Sequence, residues 1–75
     1  MSDERIRVEI AFDGGQIMSA LIEPHSVDRL EHALASGEQG VLPLDASDGR
    51  YTVVLGEIVY VKRFAREARV GFGNP

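Results

Sequence analysis

The strongest constraint on the fold is an alternation of apolar and polar residues near the start of the chain. Apolar side chains occupy every second position from Ile6 to Phe12. Because successive side chains of a strand point to opposite faces of a sheet, this spacing predicts a strand with one buried face. The sequence Asp-Gly-Gly follows at residues 13–15, and such residues supply the positive φ angles of tight hairpin turns. The chain therefore opens with a predicted β-hairpin whose second strand covers residues 16–23.

The residues after this hairpin predict one helix and three more strands. Pro24 ends the second strand because proline cannot donate a hydrogen bond to a sheet ladder. Ser26 is a residue type favoured as a helix N-cap, and Gly37 is favoured just past a helix end, so we place the helix at residues 27–36. Further apolar runs predict strands at residues 41–44, 51–55 and 58–64, with turns at residues 45–49 and 56–57.

The order of these elements, β-β-α-β-β-β, is typical of an α+β domain. We expect one helix packed on a curled, barrel-like, five-stranded antiparallel sheet. Pro43 favours an edge or irregular strand at residues 41–44, and residues 58–61, which are apolar on both faces, favour a central place for the last strand. One helix covers only one face of such a sheet. The second face must therefore curl on itself or meet a partner, and we expect a homo-oligomer.

Seventy-five residues are enough for one domain, which we place at residues 1–64 with a basic, glycine-flanked C-terminal tail at residues 65–75. A chain of this length buries only about 60% of the surface that its unfolded form exposes. It has no cysteine, which excludes a disulfide, a thiolate nucleophile and any cysteine-based zinc site. Packing or self-association is left to supply the stability.

The net charge of −4 is distributed unevenly along the chain. Residues 1–61 hold eleven acidic and four basic side chains, a net charge of −7, whereas residues 62–75 hold four basic and one acidic side chain, a net charge of +3. The acidic body disfavours nucleic acid as a partner because it repels phosphates. No apolar run approaches the roughly 20 residues of a membrane span, and the polar N-terminus has no signal-peptide core. We therefore expect a cytoplasmic protein without a membrane partner.

Two groups of residues resemble metal sites without completing one. His25, Asp28 and His32 would share one helical face if the helix began at residue 24 or 25, but the predicted cap leaves His25 outside the helix. Residues 45–49 mimic the start of a calcium loop, but Gly56 stands where such a loop needs a bidentate glutamate. The sequence also holds no Gly-x-Ser-x-Gly motif and no evident nucleophile–base pair. We therefore expect no metal, no cofactor and no enzymatic activity, with an enzyme formed at an oligomer interface as the alternative.

The C-terminal segment is the best candidate for a binding element. It combines basic side chains with a phenylalanine between two glycines, and aromatic residues anchor interfaces while cations steer encounter. We expect a protein partner, often a second copy, on the open sheet face and this segment. The candidate partner-binding residues are Tyr60, Lys62, Arg63, Arg66, Arg69 and Phe72. There are three alternatives. The segment folds back on its own sheet and covers it, the basic residues among the candidates bind RNA or DNA, or the segment is only a frayed terminus.

Several pieces of the chain also carry a family resemblance. They are Val8-Glu9-Ile10, residues 26–34, Leu42-x-Leu44 followed by Gly49-Arg50, residues 58–61 and residues 69–73. On these pieces the chain resembles a family of small actinobacterial proteins known as a domain of unknown function. This resemblance implies a cytoplasmic protein and identifies no catalytic residue. More weakly, residues 6–23 with the closing strand 58–64 are similar to bacterial Sm-like small barrels, which form rings and bind RNA.

Overall fold

A computed structural model of the chain describes residues 4–64. It confirms the predicted order of elements and the α+β class. The strands pair in the order β4-β3-β2-β1-β5, and every pairing is antiparallel. The sheet is not closed, so the barrel-like description was too strong. The elements are β1 (Ile6–Phe12), β2 (Ile17–Ile22), α1 (Pro24–Ala35), β3 (Val41–Ala46), β4 (Gly49–Val54), a 3₁₀ turn (Leu55–Glu57) and β5 (Ile58–Arg63).

The first hairpin forms as its sequence predicts. β1 and β2 pair along their whole length, from Ile6 opposite Ile22 to Ala11 opposite Ile17. The turn between them needs glycine, because Gly14 and Gly15 have φ angles of 100° and 94°, a region that other residues rarely adopt.

The helix begins three residues earlier than predicted. α1 starts at Pro24, Glu23 is its N-cap, and no side chain caps it. Proline suits the first helical position because the N–H that it lacks would have no partner there. Ser26 therefore lies inside the helix and is buried, with 6% of its surface exposed. The predicted C-terminal end is close to the observed one, since Ser36 is the C-cap and Gly37 has a φ angle of 72°.

The core lies between α1 and one face of the sheet. Three helix side chains at helical spacing, Val27, Leu30 and Ala33, are buried there. The alternating residues of β1 face them, as the period of two requires. The sheet residues that complete this buried cluster are Val8, Ile10, Ile22, Leu42, Leu44, Ala46, Val53 and Leu55.

The β3–β4 hairpin is attached to the rest of the sheet at a narrow junction. β3 pairs with β2 at Ile22 opposite Ala46. Two backbone hydrogen bonds of 2.9 Å flank this pair, one donated by Glu23 to the Asp45 carbonyl and one donated by Ser47 to the Leu21 carbonyl. β3 lies between β4 and β2 and pairs with β4 without interruption, with Pro43 opposite Thr52, so the edge or irregular strand that Pro43 predicts is not observed. Pro43 itself lies outside the pairing with β2.

The last strand lies at an edge of the sheet, so the predicted central position was wrong. β5 pairs with β1, and the register shifts between Ala11 and Phe12. This bulge leaves Val59 exposed, and for this reason a strict alternation through residues 58–61 assigns apolar residues to both faces. The 3₁₀ turn links β4 to β5 across four residue steps, at most about 14 Å. A flat five-stranded sheet would separate its edges by about 19 Å, so this sheet must curl.

Candidate functional site

The sheet face that α1 does not cover is the surface on which the sequence placed its binding residues. Strand register brings side chains of β2, β1 and β5 into rows across this face. Ile17, Ala11 and Tyr60 form one row, and Ser19, Glu9 and Lys62 form the next. We call this three-stranded surface the outer face. Its residues are Arg7, Glu9, Ala11, Ile17, Ser19, Leu21, Tyr60 and Lys62.

Large apolar side chains are exposed on the outer face. Ile17 is 58% exposed, Leu21 is 44% exposed and Tyr60 is 43% exposed. In the row of Ile17 and Tyr60, Ala11 is buried although it points away from the helix. The outer face thus has a small apolar centre with exposed flanks. Exposed apolar patches of this kind mark interaction sites more often than isolated apolar residues do.

A hydrogen bond fixes the aromatic ring of the outer face. The Tyr60 hydroxyl donates to the Glu9 carboxylate at 2.5 Å. This bond, with smaller contributions from desolvation and the carboxylate charge, raises the pKa of Tyr60 above its ordinary value of 10.0. Because the tyrosine hydroxyl is held by a neighbouring strand, the ring crosses from β5 to β1. A ring held in this way loses less conformational entropy when a partner binds it.

Phe64 belongs to the same surface and was missed by the sequence reasoning. The Lys62 ammonium lies 4.5 Å from the Phe64 ring centroid, and the Arg7 guanidinium lies 5.9 Å from it. The Phe64 backbone N–H also donates to the Arg7 carbonyl at 3.0 Å. The signal was available, because alternation from Tyr60 and Lys62 places Phe64 on their face. The outer face therefore holds two aromatic rings beside two cations.

Arg63 lies on the opposite side of β5 from Tyr60 and Lys62. Its register partner is Val8, a core residue, and its guanidinium reaches α1. There it donates to Asp28 at 3.0 Å and to Glu31 at 2.8 Å. Hydrogen bonds to Glu31 and then Asp28 raise the pKa of Arg63 above its ordinary value. Arg63 thus joins the edge strand to the helix, and its part in partner binding stays a prediction.

The other predicted binding residues, Arg66, Arg69 and Phe72, lie outside the described residues. Of the six candidates, the structure places Tyr60 and Lys62 together on the outer face and separates Arg63 from them.

The two metal-like groups have different outcomes in the structure. His25 lies inside the helix, because α1 starts at Pro24. Even so, no group of three histidine or carboxylate residues within residues 4–64 could hold a metal ion. In the predicted turn at residues 45–49, Asp45 accepts a hydrogen bond from Arg50 at 3.2 Å, and Asp48 accepts one from Tyr51 at 2.7 Å. These carboxylates bind neighbouring side chains.

The fold and this surface define an α+β domain in which α1 covers one sheet face and no element of residues 4–64 covers the other. No family model, curated protein or solved structure matches the chain. The resemblance to the actinobacterial family and the similarity to Sm-like barrels therefore stay predictions. In the part of the chain that the structure describes, no helix is long and apolar enough to cross a membrane.

Proposed function

We propose that this protein is a small non-enzymatic interaction module that self-associates through the outer face. The observation that carries the proposal is the exposure of Ile17, Leu21 and Tyr60 on one sheet face that no element of residues 4–64 covers. Burial of apolar area is the main driving force of protein association. A cytoplasmic location belongs to the same proposal.

The charges of the outer face favour a second copy as the partner. Glu9 lies opposite Lys62 in register, and Arg7 lies two residues before Glu9 on the same face. Both signs are thus present on one patch. In a two-fold symmetric dimer the same patch meets itself, so the carboxylate of one copy can face the cations of the other. A patch of one sign would repel its own copy.

The size of the outer face predicts a weak dimer. Three strands of about six residues span about 14 Å by 20 Å. Such a surface is well below the roughly 800 Å² per partner of a standard interface. Association should therefore depend steeply on concentration. Arg66, Arg69 and Phe72 would enlarge the interface if they take part in it.

Association by the face is better supported than association by the free edge of β5. The bulge at Val59 interrupts the regular backbone of that edge, and Lys62 and Arg63 follow it. Bulges and charged side chains are the features that keep edge strands from pairing with other chains.

The test is the solution mass of the full chain over a range of concentrations, by sedimentation equilibrium. We expect the mass to rise above the 8.2 kDa of one chain, and Ile17→Lys to abolish the rise. Val41→Lys is the matched control, because Val41 is 61% exposed and Ile17 is 58% exposed, and both are the first residues of their strands. Circular dichroism checks that each variant folds. A single-chain mass at millimolar concentration, or equal dissociation of both variants, would overturn the proposal.

Binding to RNA or DNA is the second candidate, and one arrangement favours it. Lys62 and Arg7 flank the Phe64 ring, and Tyr60 lies on the same face. Aromatic rings beside cations can stack bases and bind phosphates. The carboxylate of Glu9 in the middle of this face opposes it. Binding of single-stranded RNA that weakens with added salt and with Lys62→Ala would support this candidate, whereas no binding at low salt would remove it.

A further inference from the structure

A groove lined by none of the outer-face residues lies elsewhere on the sheet. It has a volume of about 340 Å³ and lies between the start of the β1–β2 turn on one side and β4 on the other. Phe12 and Met18 line the first side, and Tyr51 and Val53 line the second. It lies where the curled sheet remains open. Its volume falls at the lower end of the range for ligand pockets.

The floor of the groove is apolar. Phe12, Met18 and Tyr51 are partly buried and pack against the core, and Val53 belongs to the core. The floor of the groove is therefore formed by strand residues that belong to the core or pack against it. An apolar side chain placed there would leave water for contacts with four apolar residues.

The rim of the groove is acidic. Asp13 and Glu57 line it, and none of the residues that line it is basic. The Asp13 backbone N–H donates to the Glu57 carbonyl at 2.7 Å, so the segments that carry both carboxylates are fixed to each other. Asp48 does not line the groove, but its carboxylate accepts a hydrogen bond at 2.7 Å from the hydroxyl of Tyr51, which does. An occupant should therefore carry positive charge next to a large apolar side chain.

We infer that this groove binds residues 66–73 of the chain itself. That segment holds two arginines against one glutamate, Glu67, and a valine and a phenylalanine flanked by glycines. Its net charge of +1 matches the acidic rim, and its apolar side chains match the apolar floor. The segment would place Phe72 in the groove and Arg69 at the rim. This inference concerns a different surface from the outer face and does not rest on the proposed self-association through it.

The chain is long enough for this contact. β5 runs from Ile58, which pairs with Phe12 at the groove, to Phe64 beside Arg7. The groove thus lies about 20 Å from Phe64, which is one strand length. Eight residue steps separate Phe64 from Phe72, and they span up to about 28 Å. Phe72 can therefore reach the groove of its own chain.

The experiment uses the full chain and the methyl group of Met18 as its reporter. In nuclear magnetic resonance spectra, we expect Phe72→Ala to shift the Met18 methyl signal and the amide signals of Asp13 and Glu57. Phe64→Ala is the control, because it removes another phenylalanine from the opposite side of the sheet and should leave the Met18 methyl unchanged. Unfolding midpoints are measured for both variants to establish that each one folds.

Nuclear Overhauser contacts then distinguish the two sources of the segment. A contact between the Phe72 ring and the Met18 methyl within one chain supports the inference. If the contact occurs between labelled and unlabelled chains in a mixed sample, the segment comes from a second copy and the inference is wrong. If it occurs only within labelled chains, the segment comes from the same chain. The inference is wrong if there is no such contact and Phe72→Ala leaves the Met18 signal in place.

A titration tests the acidic rim separately. A synthetic peptide of residues 65–75 is added to the full-length Phe72→Ala protein. We expect saturable binding that becomes about ten-fold weaker when Asp13→Asn and Glu57→Gln are added, since two exposed charge contacts are lost. Equal binding with and without the two carboxylates would overturn the assigned role of the rim. Neither result depends on Ile17, so failure here and failure of the proposed self-association are distinguishable.

Discussion

Ser26→Ala should destabilise the protein because it removes a contact between α1 and strand β3, and not because it removes a cap of the helix. Ser26 lies in the first turn of α1, where sequence patterns favour an N-cap. Its hydroxyl oxygen instead accepts a hydrogen bond from the Asp45 backbone N–H at 3.2 Å. The Ser26 hydroxyl also donates a hydrogen bond to the Glu23 carboxylate, with 3.4 Å between the two oxygens. The side chain thus ties α1 to β3 at the narrow junction between the β3–β4 hairpin and the rest of the sheet.

The expected loss of stability follows from the Asp45 backbone N–H, which the substitution leaves without its acceptor. A buried donor that loses its partner costs about 1–3 kcal/mol. The hydrogen bond to Asp45 is only partly buried, so we expect a loss of about 1–2 kcal/mol. For a domain of this size, 1 kcal/mol corresponds to a fall in Tm of about 4–8 °C. The change is therefore large enough to measure by thermal or denaturant unfolding.

Hydrogen exchange identifies which amide loses its acceptor. In Ser26→Ala the Asp45 amide should exchange faster, whereas an N-cap role would instead expose the amides of Asp28 and Arg29. Ser36→Ala is the matched control at the other end of the helix. There the exposed hydroxyl donates to the His32 carbonyl at 2.9 Å, and its removal should cost less than about 0.5 kcal/mol. Equal losses in the two variants, or faster exchange at Asp28 and Arg29, would refute the reasoning.

Two further predictions concern the charged contacts of the sheet. Arg63→Gln removes the ion pairs of β5 with α1 and should lower the free energy of unfolding by less than about 1 kcal/mol, with a smaller loss at high salt. Urea unfolding at two salt concentrations measures this loss. Arg50→Gln, which removes a more exposed ion pair, should lower the free energy of unfolding by less still. A loss that salt does not change would contradict this account. Glu9→Gln should lower the pKa of Tyr60 and leave that of Tyr51 raised, because each hydroxyl has its own carboxylate acceptor. Since the pKa of Tyr60 in the folded protein lies above its unfolded value, the stability that this hydrogen bond gives the fold is present below about pH 10 and is lost as pH rises through the folded pKa. Tyrosinate absorbance measures the titration. An unchanged titration in Glu9→Gln would show that the contact does not form in solution.

The sequence predicted those parts of the fold that depend on local spacing. The alternation from Ile6 to Phe12 and the two glycines after it were sufficient to predict the first hairpin. The helix start was not predictable in the same way, because two local signals competed. Pro24 and Ser26 both favour a helix beginning. The helix starts at the proline, and the Ser26 hydroxyl accepts a hydrogen bond from the Asp45 amide, nineteen residues away, in place of an N-cap bond. No local pattern reports a contact of that separation.

The predictions of the position of β5 and of part of the outer face were wrong for a related reason. A bulge displaces Val59, so a period of two read through it assigns apolar residues to both faces. The same period, applied from Tyr60 onward, does separate Arg63 from Lys62 and unites Lys62 with Phe64. Grouping the basic residues by sequence proximity concealed this division. The ion pairs of Arg63 with α1 depend on tertiary packing, which the sequence did not reveal.

The pairing of β5 with β1 also has a consequence for the order of folding. The bond between Tyr60 and Glu9 joins residues 51 positions apart, whereas both hairpins close over short turns. Long loops lose more chain entropy before their contacts form, so we expect the hairpins first and β5 last. During synthesis on the ribosome, the outer edge of β1 must wait unpaired until β5 has emerged. Arg7 and Glu9 are charged residues on that strand, and such charges discourage pairing with the strands of neighbouring nascent chains.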